Sequence, residues 1–571
     1  MSVADAPQER SFMVAADVCR DFDRSSRLEW LETNHTGAFA MGTVAGVNTR
    51  RYHALLIASL NPPADRFSIL SRVEETVNAG GREFELGAAQ YPGEIHPRGF
   101  EFLEDFRIDP FPAWRYQTAE IIIRKTLCLM DGQQSVLVRY EATGVCQLTV
   151  RLFASCRDYH SLARQNSALA PTAKSEPGRI EFAPYPGLPP LTVFHSGFAF
   201  SAGDAWYLNN EYPRELERGL DFREDLFSPG SISFQLAPDR TAWFVASVDS
   251  SPPGDRFDDT RIDAILTAEA SRRHVKPALA RALDQFRVTR FDGKPSLIAG
   301  YPWFTDWSRD TLISLPALAL AGFPDSEIAA ILTMLLEQRS QGLLPNRFAD
   351  RRSIPEYNTV DATLWFFIAA DDFIRRTDDR NFLRSILYPA ARDILHWHHR
   401  GTFYNIVVDA EDHLLSAGAP GVQLTWMDAK IGDYVVTPRA GKPVEVNALW
   451  YNALRIASAW AESLGFEEES ANHAAEAAAT RASFEKKFWN HQHGCLYDLL
   501  TPGSHDAAIR PNQLFAVSLP YPLLDPERAQ SLVNVVRETL LTPVGLRTLD
   551  PADPAYRPRF EGDMANRDAA Y

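Results

Sequence analysis
The chain has 571 residues, room for two to four ordinary domains, and is 45% hydrophobic and 23% charged, a globular balance that excludes intrinsic disorder. Its 58 lysines and arginines against 74 acids leave a formal charge of -16, which repels phosphate and argues against nucleic acid or an anionic membrane as partner. Five cysteines (Cys19, Cys128, Cys146, Cys156 and Cys495), odd in number and with no CxxC pair, argue against a disulfide framework or a structural zinc site.

The opening MSVADAPQER is polar rather than a basic-then-apolar leader, and no apolar run approaches a membrane span. A reducing cytoplasm is the expected compartment. From about residue 28 to 250 the chain reads as strands. VLVRYEAT (136–143) and CQLTVRLFAS (146–155) flank a Thr-Gly break and predict a hairpin. AEIIIRKTLCLM (119–130), SISFQLAP (231–238) and TAWFVASV (241–248) continue the pattern, with proline-rich loops such as YPGLPPLT (185–192) between strands. An antiparallel β-sandwich over residues 1–255 is the expectation.

Beyond residue 255 the period changes. Helical spacing over 265–286 predicts a helical connector, assigned to 256–290. In PDSEIAAILTMLLEQRSQG (324–342), Ile328, Ile331, Leu332, Leu335 and Leu336 form one buried stripe, with Asp325 or Ser326 as cap and Gly342 as stop. Further helices are predicted near 358–376, 381–400, 443–463, 467–489 and 525–540, with Pro443 in a first turn. Residues 291–571 then form an all-α domain with long polar loops, and long ordered loops usually carry function.

Three of those loops share one composition: GYPWFTDWSRD (300–310), LLPNRFADRRSIPEYNTVDATLWFF (343–367) and TWMDAKIGDYVVTPRAGKPVEVNALWYNA (425–453). A pyranose has apolar C–H faces and a hydroxyl rim. Aromatic rings cover the faces, while Asp, Asn and Arg bond to the rim. Each residue also has a plainer reading. Asp310 and Glu445 suit first helical turns, Trp303 and Trp307 suit a core, and Glu356 and Asp361 suit a solvated loop. His35 and His53 lack ligand spacing, and the rings of HWHHR (396–400) spread over different helix faces, so neither metal nor cofactor is expected. Recurrence in three loops favours a sugar site.

YPWFTDWSRDT, RFADRRSIPEYNTVDATLW and TWMDAKIGDYVVTPRAGKPVEVNALWYNAL resemble the C-terminal domain of glycogen debranching enzymes, the amylo-α-1,6-glucosidase family. LEWLETNHTGAFAMGTVAGVNTRRYHALLIAS (28–59) resembles the N-terminal domain of the bacterial and archaeal type. The resemblance implies a sandwich followed by an (α/α)6 barrel. It also implies a branched α-glucan (glycogen or limit dextrin) as partner, and inverting hydrolysis of α-1,6-linked glucose. Asp428 takes the place of the general acid. Trp307, Arg309 and Asp310 take the place of the terminal-glucose segment, with Trp303 lining the pocket. Asp306, Asn346, Arg347, Glu356, Tyr357, Asn358, Asp361, Trp426, Lys430, Glu445, Asn447 and Trp450 complete the substrate-binding candidates of these loops.

An acid at Asp428 needs a raised pKa, which exclusion of water by Trp426 and Met427 favours and a nearby Lys430 opposes. The chain closes on EGDMANRDAAY with too few helical segments for six hairpins, so the expected barrel is incomplete at its C-terminus. The second carboxylate is then expected beyond Tyr571, with Glu561 and Asp563 as the late acids nearest the right place. A β/α barrel of about 250 residues does not fit beside these domains, so 4-α-glucanotransferase activity is not expected. The competing readings are a related (α/α)6 glucan hydrolase or phosphorylase, and a glucan-binding fragment without turnover.

Overall fold
The apolar alternation of the first half folds into two antiparallel sheets, in a computed structural model that describes residues 12–118, 120–249, 257–274, 278–348 and 355–570. The opening decapeptide and part of the second sugar-type loop (349–354) lie outside the described residues. The nine-stranded sheet runs in the spatial order Phe12–Ala15, Leu103–Ile108, Pro112–Thr118, Ile121–Leu129, Ser135–Ala142, Ala242–Ser247, Leu191–His195, Arg179–Phe182, Ala173–Glu176. The eight-stranded sheet runs Ala199–Glu211, Arg223–Leu236, Cys146–Asp158, Ala64–Ala79, Ala54–Asn61, Phe39–Thr43, Glu29–Thr33, with Arg82–Glu85 beside Ala64–Ala79. Leu127, Val136 and Phe244 of the first sheet share one core with Leu56, Val73 and Leu148 of the second. Trp30 and Trp114 meet edge-on across it at 5.3 Å, each indole N–H bonded to a backbone carbonyl.

The predicted hairpin at 136–155 is not formed. Ser135–Ala142 and Cys146–Asp158 belong to different sheets, so the chain arches between layers at Thr143-Gly144. Thr143 stays with the first sheet: its N–H donates to Ile122 O at 3.1 Å, and its hydroxyl accepts from Ile122 N–H at 2.9 Å. The physical reason is burial. Each of these strands has a face in the inter-sheet core, and turning back on itself would leave one sheet without its partner. The strands at 231–238 and 241–248 arch in the same way.

The chain divides into two compact units, residues 1–293 with 300–305, and residues 294–299 with 306–571. The expected connector therefore falls within the first unit. It forms helix α1 (Asp259–His274) and helix α2 (Ala278–Asp284), with 275–277 outside the described residues. Arg273 of α1 pairs with buried Glu32 at 2.7 Å. His35 lies between Asp131 (2.7 Å) and Asp284 of α2 (3.4 Å).

The second unit carries helices α3 (Ser308–Leu320), α4 (Asp325–Glu337), α5 (Asp361–Thr377), α6 (Tyr388–Arg400), α7 (Val444–Leu464), α8 (Glu467–Lys487) and α9 (Pro526–Thr539). A π-helical turn, Leu383–Leu387, precedes α6. The stripe predicted for α4 is buried at all five positions. Its ends differ from expectation. Pro324 holds the N-cap position without a side-chain cap, and Asp325 turns to Arg376 at 2.8 Å. Gly342 lies past the helix end, at φ +72, where an added Cβ would sit 2.4 Å from the Trp397 side chain. Pro443 stands one residue before α7 as its N-cap.

Candidate active site
Helix α3 starts with Trp307 at an extended N-cap, and its first turn carries Ser308, Arg309 and Asp310. Helix α5 starts at Asp361. Backbone bridges Trp307–Arg347 and Arg347–Glu356 zip three loop segments together, with Ser308 N–H on Asn346 O at 3.1 Å and Asn346 N–H on Glu356 O at 2.6 Å. Val360 N–H donates to Leu424 O at 2.8 Å, which ties the start of α5 to the loop that carries Asp428.

Arg309 is the centre of this assembly. Its Nε meets both carboxylate oxygens of Asp361 at 3.0 Å, and its Nη2 lies 2.9 Å from Asp361 Oδ1. Its Nη1 donates to Asp428 Oδ2 at 3.0 Å. The Thr359 hydroxyl accepts from Arg309 Nη2 (3.3 Å) and donates to Asp361 Oδ1 (2.8 Å). Arg309 and Asp361 are buried, whereas the Asp428 side chain is 34% exposed. One guanidinium thus holds a closed carboxylate on one side and an open one on the other.

Burial pushes the Asp428 carboxyl above the usual carboxylate range. Arg309 opposes the rise and the neighbouring Asp361 adds to it. Asp310 is raised in the same way, by burial first, with Arg309 opposing and Asp428 and Asp361 adding to it. Among the described residues no other side chain donates a hydrogen bond to Asp310. For Arg309, burial opposes the charge, but the two carboxylates outweigh it and its pKa rises. This cluster sets two carboxyls pushed toward the protonated form beside a fixed cation.

A groove of about 400 Å³ lies beside the cluster in sequence and space, lined by Glu356, Tyr357 and Asn358 from the loop before α5, Phe403 and Tyr404 after α6, and Lys430. Tyr357 and Phe403 stack at 5.9 Å, and the Tyr357 hydroxyl is anchored on Gln338 O at 2.8 Å. Lys430 Nζ donates to Gly421 O at 3.0 Å, and Glu356 pairs with Arg347 at 2.6 Å. Asn346 is buried beside Asn358 (3.4 Å), and its Oδ1 has no partner among the described residues.

Several predicted site residues are engaged elsewhere. Trp303 belongs to the first unit, edge-on to Tyr52 at 6.3 Å, with Arg50 and Arg218 over its ring. Six residues of sequence separation from Arg309 hid a change of unit. Asp306 is buried and accepts from Ser296 Oγ at 2.9 Å. Asn447 clamps the backbone of Leu415 and Pro443, and Trp450 is fully buried, stacked on His398 at 5.7 Å. Both sit on the inward face of α7, which is core. Glu445 is buried against Arg439, and burial raises its pKa. Glu561 is exposed, 3.9 Å from Arg559, and Asp563 caps the short helix Met564–Asp568 by accepting from Asn566 N–H at 2.9 Å.

Sequence reasoning did not single out Thr359, Phe403, Arg439, Asp498 or Asn512. Thr359 and Arg439 lie inside the quoted loops and differ from their neighbours only in position. Asp498 and Asn512 lie outside those three loops. Trp426 Nε1 donates to Asn512 Oδ1 at 2.9 Å. Among the described residues no cluster of His, Cys, Asp and Glu fits a metal ion: His398 bonds to Ile394 O and His399 to Glu476. Among them also, no helix is long and apolar enough to cross a membrane.

Residues 28–243 match the family described as "Glycogen debranching enzyme N terminal", and residues 281–571 match "Amylo-alpha-1,6-glucosidase". The chain belongs to the glycogen debranching enzyme family. As a member, it is 26% identical over 363 residues to the "Glycogen debranching enzyme" of Saccharomyces cerevisiae, an alignment covering 48% of this chain and 24% of the yeast protein. This debranching-family chain thus spans about a quarter of that relative. It shares its fold with a bacterial glucoamylase solved with acarbose, at TM-score 0.56 and 12% identity, over 98% of this chain and 84% of the other. The debranching-family chain accordingly has a glucoamylase-like fold.

Proposed function
We propose that this chain debranches glycogen or limit dextrin by hydrolysing α-1,6-linked glucose with inversion, Asp428 acting as general acid. The observation that carries the reading is the open, protonation-prone Asp428 carboxyl held at 3.0 Å by a buried arginine. In this reading Arg309 and Asp310 bind the hydroxyl rim of the terminal glucose. Asp428 gives its proton to the leaving O6 of the branch residue as the C1–O6 bond breaks. A water adds to C1 from the opposite face and loses its proton to a second carboxylate, at the spacing of about 6.5–9.5 Å that inversion uses. The groove of Glu356, Tyr357, Asn358 and Lys430 takes the glucan chain that leaves, the Tyr357–Phe403 pair offering it an aromatic wall.

The test is glucose release from limit dextrin by wild type and Asp428→Asn, with the anomer followed by NMR. Asp428→Asn lowers kcat about 100- to 10,000-fold, the range of general acid catalysis, while dextrin binding persists. Equal turnover by both proteins removes the acid assignment. Initial release of the α-anomer removes inversion.

A further inference from the structure
Asp428 is the last of four consecutive residues whose side chains are each held. The Thr425 hydroxyl faces Arg439 Nη1 at 3.4 Å, the Trp426 indole N–H donates to Asn512 Oδ1 at 2.9 Å, Met427 Sδ lies 3.6 Å from Asn512 Nδ2, and Asp428 accepts from Arg309. The other side of Asn512 is equally fixed. Its Nδ2 donates to Asp498 Oδ1 at 2.8 Å, and Asp498 Oδ2 accepts from Arg439 Nε at 3.0 Å. Arg439 then forks onto both oxygens of buried Glu445. The result is one chain, Trp426–Asn512–Asp498–Arg439–Glu445, in which every link has a defined donor and acceptor.

The polarity of that chain cannot be reversed at Asn512. An indole N–H only donates and a carboxylate only accepts, so the amide oxygen must face Trp426 and the amide nitrogen Asp498. Asn512 is 1% exposed and Asp498 3%, so neither reaches a sugar. Both come from outside the loop that carries Asp428, and their side chains meet it at Trp426, Met427 and Arg439.

We propose that Asn512 and Asp498 are positioning residues that set the orientation of Asp428 by locking Trp426 and Met427. The proposal rests on the reading of Asp428 as the acid. It predicts an effect on turnover rather than on binding, because a misplacement of about 1 Å in a reacting group costs on the order of 100-fold in rate.

The test is a polarity swap. Asn512→Asp sets two carboxylates against each other at the 2.8 Å link. Asp498→Asn alone sets an amide N–H against either Asn512 Nδ2 or Arg439 Nε. In the double variant the link runs backwards. The carboxylate introduced at position 512 accepts from Trp426 and from the amide introduced at position 498, and the oxygen of that amide accepts from Arg439. The expected result is a fall in kcat of about 100-fold in each single variant, with KM for limit dextrin within about threefold, and recovery of at least about tenfold in the double variant.

A second reading comes from pH. The ratio of Asn512→Asp to wild-type kcat rises as pH falls, because one shared proton restores the missing donor. This measurement stands even if the single variant is poorly folded at neutral pH, since acid then restores the link and the turnover together. Single variants with kcat within twofold of wild type overturn the proposal. So does a double variant that unfolds cooperatively at the wild-type temperature yet recovers nothing. Asp428→Asn is run alongside: if it keeps full turnover, the acid assignment has failed, whereas loss there without rescue in the swap refutes the positioning role alone.

Discussion
Each unit of the molecule buries an arginine against a glutamate or aspartate, and the two sites end differently. In the sandwich, Arg157 engages every donor: Nε and Nη2 on Glu224, Nη1 on the carbonyls of Asp158 and Tyr159, and Nη2 also on Arg51 O. Glu224 is fully buried and also accepts from the Tyr212 hydroxyl and from Ala163 N–H. Nothing remains to offer a ligand. In the helical unit, Arg309 closes off Asp361 but leaves Asp428 a third open and Asp310 without a donor from another described side chain. A buried ion pair that completes itself is structure. One that stops short, with carboxyls pushed toward the protonated form, is equipped for chemistry.

The sharpest way to break this comparison is to remove each arginine. Arg157→Met and Arg309→Met each strand a buried carboxylate, and each should lower unfolding free energy by about 3–5 kcal/mol in urea titrations. Only Arg309→Met should also abolish turnover per folded molecule. Arg157→Met should leave it within about twofold, and a larger loss there would erase the distinction between closed and open sites.

Asp310→Asn probes the open side more gently. Losing a carboxyl acceptor for a sugar hydroxyl should cost about 10- to 100-fold in kcat/KM, the equivalent of about 1.5–3 kcal/mol. Stability should rise, because a crowded and desolvated carboxylate is gone. The alkaline limb of the pH–rate profile should move to lower pH, since removing a like charge lowers the pKa of Asp428. A profile that stays in place would separate Asp310 from the acid.

The smallest effect belongs to His35 in the first unit. Burial lowers its pKa, but Asp131 and Asp284 more than offset this and the net shift is upward. A raised folded-state pKa means the stabilisation is complete below the unfolded value of about 6.5 and is lost as pH rises through the folded value. The stability difference between wild type and His35→Gln should therefore shrink from pH 6 to pH 8.5, by no more than about 1 kcal/mol. A difference that grows with pH would refute the clamp.

The legible part of this molecule was local. The stripe of Ile328, Ile331, Leu332, Leu335 and Leu336 gave α4 because helical period and burial agree. Arg309, Asp310 and Asp428 were named by the family resemblance and Asp361 by the composition that three loops repeat, whereas the meeting of Arg309 with Asp361 and Asp428 is a fact of the structure. The arches at Thr143-Gly144 and at 237–240 were illegible because a strand has the same alternation whichever sheet it joins. Trp303 and Arg309 are close in the sequence yet anchor in different units. Asn447 and Trp450 misled because a polar or aromatic residue beside a site can equally be its foundation. Asp498 and Asn512 were invisible because their meaning lies in a chain of hydrogen bonds that no spacing encodes.

The bond from Val360 N–H to Leu424 O has a consequence for how this site can change. It fastens main chain to main chain, so the alignment of Asp361 with the Asp428 loop does not depend on the side chains of the intervening groove wall. Tyr357, Phe403, Tyr404 and Lys430 are then exchangeable in a way that Arg309 and Thr359 are not. On the proposed function, preference for the departing glucan chain can drift, or be redesigned, at these four positions without disturbing Arg309, Asp361 and Asp428.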